Sequence, residues 1–117
     1  MSFALAQLGE PYVFAGAGPN VWDCSGLVMK AWAAAGINMY HQARPQYWAS
    51  KKVSISQLQR GDMVFWATNR HDSNTIYHVA LYIGGNRIIQ APRPGRNVEI
   101  KPLFYAGTPQ FAARPQN

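Results

Sequence analysis

Residues 78–92, HVALYIGGNRIIQAP, carry the reading on which the fold turns. Two apolar arms, 78–83 and 87–91, flank Gly84, Gly85 and Asn86, residue types that accept the positive φ of a tight turn between antiparallel strands. Along the first arm His78, Ala80 and Tyr82 share one face, while Val79, Leu81 and Ile83 share the other and read as core. A three-residue loop at 84–86 sets Ile83 opposite Arg87, Ala80 opposite Gln90 and His78 opposite Pro92. Gln90 then becomes a diagonal neighbour of His78, at roughly 7 to 8 Å between α-carbons, which long side chains bridge.

Working outward, RGDMVFWA (60–67) turns at Gly61 and Asp62 into a strand of Met63 to Trp66, and VEIKPL (98–103) supplies another strand after the loop PRPGRN. The closing TPQFAARPQN (108–117) is expected to fray or run along the surface. Upstream, SFALAQL (2–8) predicts a short helix closed by Gly9 and Pro11, and Ser54 to Leu58 a capped turn. Between these, a loop with Gly16, Gly18 and Pro19 delivers the chain to Asp23, an N-cap residue for a helix from Cys24 to Ala35 that stops at Gly36. That helix carries one charge, Lys30, and small or apolar side chains all round, which predicts a central, buried position. A helical first half followed by a meander of strands is the α+β pattern, with helices on one side of an antiparallel sheet.

The whole chain, 1–117, reads as a single domain: 48% of residues are hydrophobic and 14% charged, which favours a compact globule. One cysteine excludes an internal disulfide and any zinc site built on paired thiolates. The opening residues do not resemble a secretory signal peptide, and no run approaches the ~18 apolar residues of a membrane span. Eleven basic against five acidic residues give a net charge of +6 and imply an acidic partner. The basic residues are scattered, with no nucleic-acid motif beside them, so an anionic polymer other than nucleic acid is expected.

A lone cysteine is by default small core filler. Cys24 is placed differently, at a helix N-terminus, where unpaired amides and the macrodipole favour negative charge, and an imidazolium nearby would lower the thiol pKa further. A base is still needed, and three histidines are available. His71 sits in a polar loop and is expected to face solvent; His41, after the central helix, either lines a groove or does nothing. His78 shares its strand face with Gln90, whose amide oxygen is expected to accept from the imidazole Nδ1–H. Cys24, His78 and Gln90 then form a nucleophile, a base and a group that orients the base. Read singly, His78 is equally a hydrogen-bonded histidine at a strand edge. Trp22, Tyr40, Tyr47 and Trp48 either wall a groove or belong to the core.

At these residues the chain resembles the NlpC-type cell-wall cysteine peptidases, a papain-like family that cleaves peptidoglycan stem peptides. The likeness runs through GEPYVFAGAGPNVWDCSGLV, LQRGDMVFW and HVALYIGGNRIIQAPRPG, in that order. It implies a papain-like α+β fold, Cys24 as nucleophile and His78 as general base. It further implies Tyr12 lining the site near the thiol, and Asp23 and Ser25 holding the substrate peptide. The expected bond is that between D-γ-glutamate and the diamino acid. No cofactor or metal is implied, the partners are the stem peptide and the anionic cell wall, and the expected state is a monomer working at the cell wall or outside the cell. Such a chain is either a piece of a longer secreted protein or is delivered by another route, a phage among them. The departure is Gln90, where this family most often has histidine. A neutral glutamine leaves room for a rival reading, a peptidoglycan-binding module on the same fold; an acyltransferase or an amidase at a different bond keeps the thiol but changes the reaction.

Overall fold

The computed structural model of the protein describes residues 1–116. Among the described residues three short α-helices, α1 (Ser2–Leu5), α2 (Cys24–Ala33) and α3 (Ala43–Trp48), precede the strands, and β1 (Lys51–Lys52), β2 (Met63–Ala67), β3 (Ile76–Gly84), β4 (Arg87–Gln90), β5 (Glu99–Pro102) and β6 (Phe111–Arg114) pair in one sheet, in the order β1-β6-β2-β3-β4-β5. Every pairing in that sheet is antiparallel.

α2 begins where the sequence predicts. Asp23, in extended conformation, accepts the Gly26 amide at 2.6 Å and so satisfies one of the donors that the first turn leaves open. The helix ends at Ala33, short of the expected Ala35, and the chain leaves through a turn at Gly36 with φ +87°. Leu27, Val28 and Ala31 are buried in the main apolar cluster, which also holds Val79, Leu81 and Ile83 of β3. Each fully buried Leu, Ile or Val side chain among them contributes about 1.5–3 kcal/mol. The expectation of an enclosed helix needs correcting: Lys30, Ala33, Ala34 and Ala35 are exposed. Alanine favours a helix without requiring burial, so small residues all round overstate how much of a helix is covered.

The hairpin keeps the expected register in its body, with Leu81 opposite Ile89 and Tyr82 opposite Ile88. Its tip differs. Gly84 pairs with Arg87 across a two-residue turn of Gly85 and Asn86, at φ +61° and +58°, and the extra residue is absorbed as a bulge beside Ile83. The two faces fall as the alternation requires. Val79, Leu81 and Ile83 join the cluster under α2, whereas Ala80 and Tyr82 join a second cluster on the other side with Val64, Trp66, Ile88 and Leu103. A second bulge, between Trp66 and Ala67, sets His78 opposite Trp66 and Ile76 opposite Ala67, and Tyr77 is left exposed.

The C-terminal stretch is the larger correction. Residues 111–114 neither fray nor lie on the surface: they form β6, inserted between β1 and β2, with Ala112 and Ala113 buried. Without β6 the edge of β2 would carry a row of unpaired amides and carbonyls. Arg114 clamps the insertion through two hydrogen bonds to the buried Asp62 carboxylate, at 2.8 and 2.9 Å. α3 and β1, which the sequence reading did not anticipate, bridge from the central helix to this edge. No helix among the described residues is long and apolar enough to cross a membrane.

Candidate active site

Cys24 opens α2 at the foot of a groove of about 670 Å³. Its walls are Tyr12 and Phe14 on one side and Arg44, Trp48 and Tyr77 on the other. The second wall is α3 with the start of β3, held together by Trp48 Nε1–H to Ser73 Oγ at 2.9 Å and by Arg44 Nε–H to the Ile76 carbonyl at 3.0 Å. Of the four aromatics considered from sequence, Trp48 lines this groove, Trp22 is core, Tyr47 packs on Phe65 and Phe111, and Tyr40 is exposed elsewhere.

The thiol is half-buried and faces three backbone amides, those of Val79, Ser25 and Cys24. Val79 follows His78 on β3, so this contact joins the helix start to the histidine's strand. Burial nevertheless pushes the Cys24 pKa up, and the nearby Asp23 charge adds to that, against the amides that pull it down. The expected lowering of this pKa is therefore not what the site does at rest: desolvation outweighs the helix N-terminus. Burial likewise pushes the His78 pKa down, opposed by the hydrogen bond to Gln90 and the charge of Glu99. Both directions favour the uncharged forms, a thiol and a neutral imidazole.

His78 and Gln90 are both buried, and His78 Nε2 lies 2.7 Å from Gln90 Oε1. The diagonal contact expected from the hairpin is present. The ring nitrogen is not the expected one: Nε2 faces Gln90, which leaves Nδ1 free of that bond. Trp66 packs against the imidazole, with ring centroids 5.4 Å apart.

Tyr12 lines the groove beside the thiol, and its pKa is pushed up by burial first and then by Cys24 and Asp23. Asp23 and Ser25 line it too, with Ser25 Oγ 3.4 Å from Asp23 Oδ1. His41, left open by the sequence, faces the groove and bonds Asp23 Oδ1 through Nε2 at 2.9 Å. Gly26 explains why these parts fit. A β-carbon there would lie 2.0 Å from the Gly16 carbonyl oxygen, 2.8 Å from Asp23 Oδ1 and 2.9 Å from His41 Nε2. His71 is exposed, as expected.

Several neighbours escaped the sequence reading. No sequence pattern links His41 to Asp23, eighteen residues apart. Glu99 and Tyr105, which both contact Gln90, were accessible in part: Glu99 opens the strand expected after 97 and pairs with Gln90 across it.

The model of the NlpC/P60 family matches residues 9–113. The chain belongs to the NlpC/P60 family. It is 32% identical over 123 residues to the peptidoglycan endopeptidase RipA of Mycolicibacterium smegmatis, covering 94% of this chain and 24% of RipA. It is 39% identical over 102 residues to a gamma-D-glutamyl-L-lysine dipeptidyl-peptidase of Bacillus cereus, covering 86% of this chain and 30% of that protein. Among solved structures, an NlpC/P60 family protein from Bacillus cereus superposes with a TM-score of 0.88 at 33% identity, covering 97% of this chain and 38% of that one. The chain thus spans about a quarter to a third of the length of these curated relatives. The papain-like α+β fold of NlpC/P60 proteins is that of this chain.

Proposed function

We propose that this chain is a peptidoglycan hydrolase, a cysteine endopeptidase that cuts stem peptides between D-γ-glutamate and the diamino acid. The observation that carries the reading is the buried His78–Gln90 hydrogen bond of 2.7 Å, on the strand whose next amide, Val79, meets the Cys24 thiol. A structural cysteine has no use for an oriented histidine on the strand that its sulfur meets. The endopeptidase and dipeptidyl-peptidase names of the relatives support the same chemistry and the γ-glutamyl bond. Residues 1–117 act as one catalytic domain and as a monomer, at the cell wall or outside the cell.

In the proposed reaction His78 Nδ1 takes the proton of the Cys24 thiol as the sulfur attacks the γ-carbonyl carbon. Proton transfer coupled to attack suits a pair that is uncharged at rest. The amides of Cys24 and Ser25, which face the sulfur, then donate to the oxyanion. The imidazolium gives its proton to the leaving α-amine, and the C–N bond breaks to leave a thioester. Water, losing a proton to His78, hydrolyses the thioester and restores the thiol. Gln90 holds the ring throughout. Tyr12, Asp23 and Ser25 hold the peptide in the groove, and the net charge of +6 draws the domain to an anionic wall.

The test is mass analysis of peptidoglycan digested by the protein. The expected products are fragments ending in γ-glutamate and fragments beginning with the diamino acid. Cleavage at a different amide would make it an amidase or an endopeptidase of another bond, and retention on the wall without cleavage would make it a binding module.

A further inference from the structure

We propose that Glu99 is a positioning residue that sets the tautomer of His78 through Gln90; this rests on the hydrolase reading above. A glutamine amide can present either its oxygen or its NH2 group to a histidine, and the two choices have opposite chemical results. With the oxygen turned inward, the facing ring nitrogen must carry the proton. With the NH2 turned inward, that nitrogen must be bare and the proton sits on the other one.

The surroundings of Gln90 select one choice. Its Nε2 lies 3.0 Å from Glu99 Oε2 and 2.8 Å from Tyr105 Oη. A carboxylate only accepts, so the atom facing Glu99 has to be the amide nitrogen. The Tyr105 hydroxyl, 3.1 Å from Gln90 Oε1 as well, can accept or donate and serves either orientation, so Glu99 makes the choice. Turning the amide over would set its oxygen against the carboxylate oxygen, with no proton between them. Arg96 pairs with the other carboxylate oxygen and fixes Glu99 in turn. Gln90 Oε1 is therefore the atom that faces His78 Nε2, at 2.7 Å. Nε2 carries the proton, and Nδ1 keeps the lone pair that the thiol proton needs. A neutral glutamine thus gains from a carboxylate one residue further back the directionality that it lacks itself.

Two measurements on the full chain test this. In protein labelled with 15N at histidine, at a pH where the imidazoles are neutral, the His78 signals should report Nε2–H in the parent. In Glu99→Gln they should report a substantial Nδ1–H population, because a neutral amide accepts either orientation of Gln90. On a soluble stem peptide Glu99→Gln should lower kcat about tenfold with KM changed less than about twofold. In a protein already carrying Gln90→Glu, the same Glu99→Gln change should cost less than about twofold, since a carboxylate at 90 accepts with either oxygen and needs no orienting. A merely structural Glu99, holding the 93–97 loop to β5 through Arg96, would cost the same in both backgrounds. Should Glu99→Gln fail to fold, Glu99→Asp, one methylene short of Gln90, should give the same tautomer shift in smaller degree. An unchanged His78 tautomer in these variants overturns the proposal. The 15N readout needs no substrate, so it stands or falls separately from the hydrolase reading, which fails if the parent itself cleaves no stem peptide.

Discussion

Cys24 is held mainly by its neighbours in sequence, His78 by residues far along the chain. The thiol faces the amides of its own residue and of Ser25, joined by that of Val79 from β3, on a helix capped by Asp23 through Gly26, three residues on. The imidazole is fixed by Gln90, twelve residues away, by Trp66 on the paired strand, and at one remove by Glu99 and Tyr105. The front of the site is thus built around a helix start, with one amide borrowed from β3. The back exists only once four strands have paired in register. A change at the front should act on the nucleophile or on groove shape, and a change at the back on how well the base is aimed.

The largest effects come from removing either reacting group. Cys24→Ala and His78→Ala should each lower kcat/KM on a soluble stem peptide by about 10⁴-fold or more, and the double variant should be little worse, because the two act as one unit. Thermal melting should show both variants folded. His41→Ala and His71→Ala should cost far less. If His41→Ala matched His78→Ala, the base would lie at the front, and the division drawn between the two regions would collapse.

Next comes Gly26→Ala. The added methyl meets the Gly16 carbonyl oxygen at 2.0 Å, a backbone atom with little freedom to retreat, so the helix start and the 16–18 loop must separate. A displacement of the nucleophile by about 1 Å costs on the order of 10²-fold in rate. The melting temperature should fall as well, and the His78 15N signals should stay as in the parent. Parental activity and stability in Gly26→Ala would show that the front is less tightly set than its distances imply.

Gln90→Ala removes a buried hydrogen bond whose loss leaves a cost of about 1–3 kcal/mol, or roughly tenfold to a hundredfold in kcat/KM. Gln90→Glu should instead raise the His78 pKa by setting a negative charge beside it. Since burial keeps the resting imidazole neutral, the limb of the pH–rate profile that His78 controls is the acidic one, and it should move to higher pH. A profile for Gln90→Glu that matches the parent's at every pH would mean that position 90 does not act on the base.

The same contrast explains what could be read from the sequence. Asp23, Cys24 and Gly36 announce the helix because capping is local chemistry, and the alternation from Val79 to Ile83 announces a face because a strand has a period of two. Hairpin register follows from loop length; the turn is one residue shorter than expected, and the bulge beside Ile83 restores the pairing that brings Gln90 to His78. The ring nitrogen was not legible, since it depends on side-chain rotation. Nor was the raised thiol pKa, because a helix start can be seen in sequence whereas the burial that opposes it cannot. Residues 111–114 were missed for a related reason: FAAR has little apolar alternation of its own, and its place as a strand is fixed by the open edge of β2 and by Asp62 waiting for Arg114.

The smallest expected effect separates the two regions by stability alone. The folded His78 pKa lies below its ordinary value of 6.5, so between that lowered value and about 6.5 the unfolded chain binds more protons than the folded one. Stability in that window rises with pH: the neutral imidazole is tolerated fully above 6.5, and the loss grows as pH falls until the folded pKa is passed. Cys24 acts at the other end. Its folded pKa lies above the ordinary 9.0, so the unfolded chain loses its proton first, and stability declines as pH rises past about 9. Chemical denaturation of the parent, His78→Gln and Cys24→Ala from pH 5 to 10 resolves both. Relative to the parent, His78→Gln should flatten the acid side alone, and Cys24→Ala the alkaline side alone. A single variant that flattened both sides would mean that thiol and imidazole titrate as a coupled pair already at rest, and that the front and back of the site are not held independently.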